Sequence, residues 1–210
     1  VDNLSERVAF EAINSGALQL MANCGPNQGI FDQTLVVAIV ISSGHDYWVK
    51  KGDLTMQYGA QTVKRAELVA GRGIRGDRYF SKRLNHKSQV TFISLEAIDE
   101  IRRQFALPEL PVTVFRRNLV VSGLNFADLL GRQFQIQGVE FEGTQECTPC
   151  RWMDRVVAQG AHKFMMAQFR GGLRAKILCD GFIDCDNIVR CNSVEPKRSS
   201  DLSDLLRQGK

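Results

Sequence analysis

Two cysteines separated by two residues close a strand-like segment in Phe141-Glu142-Gly143-Thr144-Gln145-Glu146-Cys147-Thr148-Pro149-Cys150-Arg151. A thiol reacts as the thiolate, a form that positive neighbours or a helix N-terminus favour. Arg151 puts a charge beside Cys150. The run from Trp152 to Val157 could open a helix there, and Pro149 suits its entry, because a missing N–H and a fixed φ fit a first turn. Cys150 is therefore the candidate reactive thiol. Four readings of the pair compete. A dithiol redox pair wants the βαβ context of thioredoxin-like folds, which the flanking sequence lacks. A zinc site wants a second close pair, whereas Cys179, Cys185 and Cys191 are spaced too widely for a familiar zinc module. Both thiols could simply be packed, since free cysteine is often buried. The fourth reading, one working thiolate at Cys150 with Cys147 as its neighbour, is favoured by the basic residues that recur in the chain.

Those residues are Arg116-Arg117-Asn118 and Arg170-Gly171-Gly172-Leu173-Arg174. Paired arginines beside a strand can grip a phosphate bidentately, and a Gly-Gly segment can bring backbone N–H groups close to an anion. Surface ion pairing is the competing reading of the arginines. A further basic stretch runs from Lys64 to Lys87, with eight basic residues against two acidic ones, a net of +6 in a chain whose total is +4. Such a field favours an anionic partner; a solvated basic face is the alternative.

The elements that must position these groups read as mainly β. Thr34 to Ser42 is β-branched and continuously apolar, as in a strand buried on both faces. Gln61 to Ala70 alternates as one strand. Ser88 to Ile93 is another, after which Ser94 caps a helix with apolar residues at Leu95, Ile98, Ile101 and Phe105. Strands are expected at Leu119–Val121, Arg132–Gln137, Val139–Glu142 and Leu173–Cys179, with a short helical turn from Phe126 to Leu130. Two helical pieces, Arg151–Ala158 and His162–Phe169, break at Gly160. Asp180-Gly181 signals a hairpin turn, with Phe182 to Arg190 as the returning strand. Gly71-Arg72-Gly73-Ile74-Arg75-Gly76 matches the dinucleotide fingerprint literally. The charged residues after it open no amphipathic helix, so a tight turn with positive φ is the better reading. Many short strands with few helices suggest a closed or nearly closed β-barrel with peripheral helices, which would hide the strand edges.

The 210 residues suffice for one large domain with a substantial core. Residues 1–33 read as an N-terminal helical extension, packed on the domain or on a second copy. Residues 34–192 form the domain and 193–210 a polar tail. Six cysteines in a chain with no secretory signal are expected to be reduced, and the longest apolar run is too short to span a bilayer. A cytoplasmic protein without membrane or nucleic-acid partners is the resulting expectation.

Gly76-Asp77-Arg78, Phe115-Arg116-Arg117-Asn118-Leu119-Val120-Val121-Ser122-Gly123, Gly131-Arg132-Gln133-Phe134, Gly143-Thr144, Pro149-Cys150 and Arg170-Gly171-Gly172-Leu173-Arg174-Ala175 occur in the order found in the MOSC domain, the C-terminal domain of molybdenum-cofactor sulfurases. The resemblance covers residues 34–190. It implies an α+β fold built on a β-barrel of the pyruvate-kinase-barrel-like type. It implies a cysteine, matching Cys150, that ligates molybdenum or carries sulfur, and a molybdopterin site drawn from Asp77, Arg78, Arg116, Arg117, Asn118, Arg170, Gly171, Gly172 and Arg174. It further implies either reduction of N-hydroxylated compounds with an electron-transfer protein, or sulfur carriage with a pyridoxal-phosphate-dependent cysteine desulfurase. This chain is too short to hold the desulfurase domain, so no pyridoxal phosphate is expected on it. A non-catalytic module for anions or proteins is the third reading. One departure stands out: the family often ends its last strand with Gly-Asp, where Cys185-Asp186 stands here.

Overall fold

An apolar run with no polar face needs cover on both sides, and Leu35–Ile41 obtains it. In a computed structural model that describes residues 34–44 and 59–186, this segment is strand β1. It lies between β2 (Gln61–Val63) and β6 (Leu119–Ser122), antiparallel to both. The sheet continues through β5 (Val90–Ser94), β9 (Leu173–Ile177), β8 (Val139–Glu146) and β7 (Gln133–Ile136), in the order β2-β1-β6-β5-β9-β8-β7. Strands β5 and β6 run parallel. Their crossover is the helix α1 (Leu95–Gln104) and a 3-10 turn at Val112–Phe115, as a parallel pair requires.

Side chains alternate across each strand, so each face builds its own core. Val36, Ile39, Phe92, Leu119, Val121, Phe141 and Leu173 point to one face, where a second sheet covers them. That sheet has the order β10-β3-β4, from β10 (Gly181–Asp184), β3 (Arg65–Val69) and β4 (Gly73–Ile74). Val37, Val40, Ile93 and Val120 point to the other face, against Ile98 and Ile101 of α1, Met153 of α3 (Met153–Val156), and Ala161 and Met165 of α4 (Ala161–Met165). A bulge between Val36 and Ala38 lets both Val37 and Ala38 join this second cluster. Phe92 anchors the first, with the rings of Phe134 and Phe141 edge-on at 5.6 and 5.2 Å. Truncating such a ring to alanine typically costs 3–5 kcal/mol. Ser94 caps α1 as expected, its Oγ accepting from Ala97 N at 3.0 Å. The short turn α2 (Phe126–Leu129) is capped by Asn125.

Three expectations change. The fold is mainly sheet with few helices, but the described ladders form two sheets and do not close into a barrel. Instead β10 lies across β1 and β8. The expected strand Gln61–Ala70 divides at Lys64, with β2 in the large sheet and β3 in the small one. The Lys64 carbonyl at the break accepts from Cys185 N at 2.9 Å. Asp180-Gly181 does turn the chain, but β10 does not return along β9; it pairs with β3. Asp180 makes the link, its Oδ1 accepting from Ala70 N at 2.7 Å. The glycine-rich stretch is the expected turn, with Gly71, Gly73 and Gly76 at φ +71°, +112° and +85°, and no helix follows it. Asp186, in the divergent Cys-Asp pair, accepts from Val36 N at 2.6 Å and donates its own N–H to Val36 O at 2.9 Å, so the end of β10 is fastened to β1. The expected N-terminal helix, the loop at 46–59 apart from Gly59, the expected strand beyond Asp186 and the polar tail lie outside the described residues.

Candidate functional site

The register gathers most of the sequence-derived residues along neighbouring cross-strand rows of the large sheet, where β5 and β6 begin and the antiparallel β8 ends. Ser42 and Gly44 follow β1, Arg116-Arg117-Asn118 precede β6, and Thr91 is the second residue of β5. Gly171-Gly172 and Arg174 open β9, while Glu146 and Cys147 end β8. The register confirms the alignment, pairing Arg174 with both Thr91 and Gln145, and Glu146 with Leu173.

Arg117 is the pin of this region. Its Nε donates to Gly171 O at 2.8 Å, Nη1 to Phe115 O at 3.0 Å and Nη2 to Cys147 O at 3.4 Å. Cys147 N donates in turn to Gly172 O at 2.7 Å. The cysteine segment and the Gly-Gly segment are thus one tied unit. Gly171 must lack a side chain here, because a Cβ would run into the Cys147 carbonyl and Pro149. Beyond this unit the chain emerges, leaving Cys147 buried and Cys150 exposed, both as free thiols.

A buried polar cluster adjoins it. Asp77 and Asn118 are 8% and 6% exposed. Asp77 Oδ2 accepts from Ser42 N and Asn118 Nδ2, both at 3.3 Å, and lies 3.7 Å from Arg78 Nη1. Asn118 Oδ1 accepts from Thr91 N at 3.1 Å and Thr91 Oγ1 at 2.8 Å. The Arg78 side chain is 9% exposed, yet its Nε has no hydrogen-bond partner among the described residues. Arg174 Nε and Glu146 Oε1 are buried in the same unpartnered state. Buried polar atoms in native proteins are nearly always paired, so these unpartnered atoms are candidate ligand contacts. Their chemistry, two N–H donors and one carboxylate oxygen, fits an anionic molecule that also carries donors.

Other expected residues act differently. Arg170 is drawn to the helical flank, where its Nε pairs with Glu100 at 2.6 Å and its guanidinium lies 4.3 Å from the Phe164 ring centroid. Arg116 turns back on the β1 exit, donating from Nη2 to Gly44 O at 2.6 Å and Ser42 Oγ at 3.1 Å. The helix expected at Cys150 is only Met153–Val156, so Pro149 precedes it rather than opening it, and no long helix dipole acts on the thiol. Among the described residues no three His, Cys, Asp or Glu side chains converge as a metal site. Cys179 and Cys185 are disulfide-bonded, against the expectation that all six cysteines are reduced. That expectation was one support for a cytoplasmic location, and the bonded cysteines remove it. No helix of the described residues is long and apolar enough to cross a membrane. Sequence reasoning missed Ser42, Thr91 and Glu146 as site residues. Only the position of Glu146, next to Cys147, could have flagged one of them.

The sheet carries an exposed free thiol and several buried, unpartnered polar atoms, and comparison with known proteins gives the domain's class. The MOSC domain model matches residues 73–190, more than half of the chain, and the protein belongs to that family. The family is associated with molybdenum-cofactor binding and sulfuration. Solved structures share the fold. The YuaD protein of Bacillus subtilis is 15% identical, covering 72% of this chain and 91% of its own, with a TM-score of 0.55. YiiM of Geobacillus stearothermophilus is 12% identical over 83% of this chain and 98% of its own, with a TM-score of 0.51. YiiM of Escherichia coli is 16% identical over 71% and 66%, with a TM-score of 0.50. Among curated proteins no sequence match is found.

Proposed function

We propose that this MOSC protein binds the molybdenum cofactor beside the cysteine loop of the large sheet, with the Cys150 thiolate as the protein's ligand to molybdenum. The observation that carries the proposal is an exposed free thiol, on a loop tied down through Cys147, in a domain that also holds the buried, unpartnered N–H groups of Arg78 and Arg174. A soft thiolate suits molybdenum, and arginines suit the cofactor's phosphate. Asn118 and Asp77 hold Arg78 in place. Arg117, Gly171 and Gly172 shape the loop that presents Cys150. Arg116 and Arg170 are occupied elsewhere and are set aside as cofactor contacts. The cofactor supplies a metal centre that exchanges electrons and oxygen atoms. The reaction class that the family resemblance implies is reduction of N-hydroxylated compounds, fed by an electron-transfer protein.

The exposure of Cys150 favours a second reading, sulfur carriage. A desulfurase persulfide would pass its outer sulfur to the Cys150 thiolate, and the donor cysteine would leave as thiolate. Such a hand-over between proteins needs an open thiol. Molybdenum analysis of protein purified from a host that makes the cofactor separates the two. Bound molybdenum supports the first reading. Its absence, with one added sulfur on the Cys150 peptide by mass spectrometry, supports the second. Absence of both leaves the domain a binding module.

A further inference from the structure

Glu146 ends β8 immediately before Cys147, and its Oε1 is buried without a hydrogen-bond partner among the described residues. It pairs across the ladder with Leu173, whose side chain belongs to the core between the two sheets. Paired residues share a face, so Glu146 stands on the face covered by the small sheet. Arg78 follows β4 at the glycine-rich turn and is anchored beside the head of β6. A lone acceptor thus stands at one position of the sheet and a lone donor, Arg78 Nε, beside another. The two do not meet. Arg78 is held by Asp77, which is bonded to Asn118 at the head of β6, and β6 lies three strands from β8 in the sheet. At about 4.8 Å per strand that separation is roughly 14 Å, beyond the reach of a direct ion pair. An elongated ligand with an anionic group at one end and an N–H donor at the other would satisfy both.

We propose that Glu146 is the specificity residue of this site, the acceptor that reads the N–H edge of the bound cofactor's heterocycle. This rests on the cofactor reading above and adds a residue that the motifs do not contain. A carboxylate is an acceptor only, so it selects a heterocycle that presents donors, as an aminopyrimidine edge does, and disfavours one that presents lone pairs. Until the ligand binds, the buried oxygen is a cost to the fold, because an unpaired acceptor has given up its water. Binding removes that cost.

The test uses the full chain with Glu146→Met, which keeps length but offers only a weak thioether acceptor, and Glu146→Gln, which keeps a strong one. Each is purified from a cofactor-competent host, and molybdenum is measured with the fluorescence of the acid-released, oxidised pterin. Each is also purified from a cofactor-deficient host and melted. The expected result is cofactor retention about tenfold or more weaker in Glu146→Met, as for loss of a bond to a charged group. Retention in Glu146→Gln should stay within a few-fold of wild type. The melting temperature of ligand-free Glu146→Met should equal or exceed that of wild type. Wild-type retention in Glu146→Met overturns the role of Glu146 and leaves the cofactor reading standing. A fall of several degrees in the ligand-free melt overturns it as well, by making Glu146 a structural residue. A wild-type protein that carries no pterin from the competent host overturns both.

Discussion

Arg117 Nε donates to the carbonyl of Gly171 across 2.8 Å, and through that bond the start of β6 holds the start of β9. The same guanidinium reaches the carbonyls of Phe115 and Cys147. An arginine that looks like a phosphate ligand in the sequence is thus spent on backbone, and the cysteine loop is fixed by it.

Arg117→Ala should therefore act on the fold first. Three hydrogen bonds to part-buried carbonyls are lost, at roughly 1 kcal/mol each, so destabilisation of about 2–4 kcal/mol is expected by chemical denaturation. Arg117→Lys should recover only part of this, because an ammonium lacks the planar fork that reaches three acceptors. Stability of Arg117→Ala equal to wild type would show that the pin is ornamental.

Gly172→Ala should be far more damaging than Gly138→Ala. Both glycines have positive φ, +101° and +82°. A Cβ at Gly138 meets open space, whereas one at Gly172 collides with the Phe92 carbonyl. Strain alone should cost Gly138→Ala about 1 kcal/mol. The collision should add several more for Gly172→Ala. Paired thermal melts read the difference, and equal losses would contradict the close approach of β9 to β5.

The free thiols should separate by access. Cys147 is buried and Cys150 is exposed, so brief alkylation at neutral pH, followed by peptide mapping, should label Cys150 at least about ten times faster. Cys179 and Cys185 are disulfide-bonded and should label only after reduction. Faster labelling of Cys147 would reverse the assignment of the working thiol.

Much of this was legible before any coordinates, and the reasons differ by residue. Leu35–Ile41 declared a doubly covered strand by having no polar face, and Ser94 declared a cap by standing just before a helical period. Arg78 and Asn118 were legible as candidate site residues because their motifs carried them. The burden on Arg117 was not legible, since its acceptors, Phe115, Cys147 and Gly171, are backbone carbonyls that any sequence would supply. The split at Lys64 and the pairing of β10 with β3 were hidden for a related reason. Alternation reports which face is buried, and says nothing of which sheet a strand joins. Glu146 was invisible because a lone glutamate reads as surface until its oxygen is seen buried.

Glu96 should make stability depend on acid pH. Burial pushes its carboxyl upward, but hydrogen bonds from the Ser122 hydroxyl, from its own and the Gly123 backbone N–H groups, and from Ser94 outweigh that and hold it below the ordinary carboxylate value. Ser122 Oγ is 2.7 Å and Gly123 N 3.1 Å from Glu96 Oε1. A folded pKa below the unfolded one gives stability that is full above the unfolded value and is lost as pH falls through the folded one. Glu96→Gln should cost about 1 kcal/mol at pH 7, and the gap should close as pH falls below the ordinary carboxylate range. A gap independent of pH would contradict the role of the charge.

The central claim concerns one sulfur atom, and molybdenum content in Cys150→Ser tests it most directly. Serine keeps the shape but offers a hard hydroxyl that stays protonated at neutral pH, a poor ligand for a metal that prefers sulfur. Cys150 is exposed and takes no part in the core, so the variant should keep the wild-type circular dichroism and melting temperature. Purified side by side from a cofactor-competent host, wild type should carry molybdenum and the folded variant little or none. A folded Cys150→Ser protein with wild-type molybdenum content would contradict the account, and would leave Cys150 a solvent-facing cysteine with no part in the site.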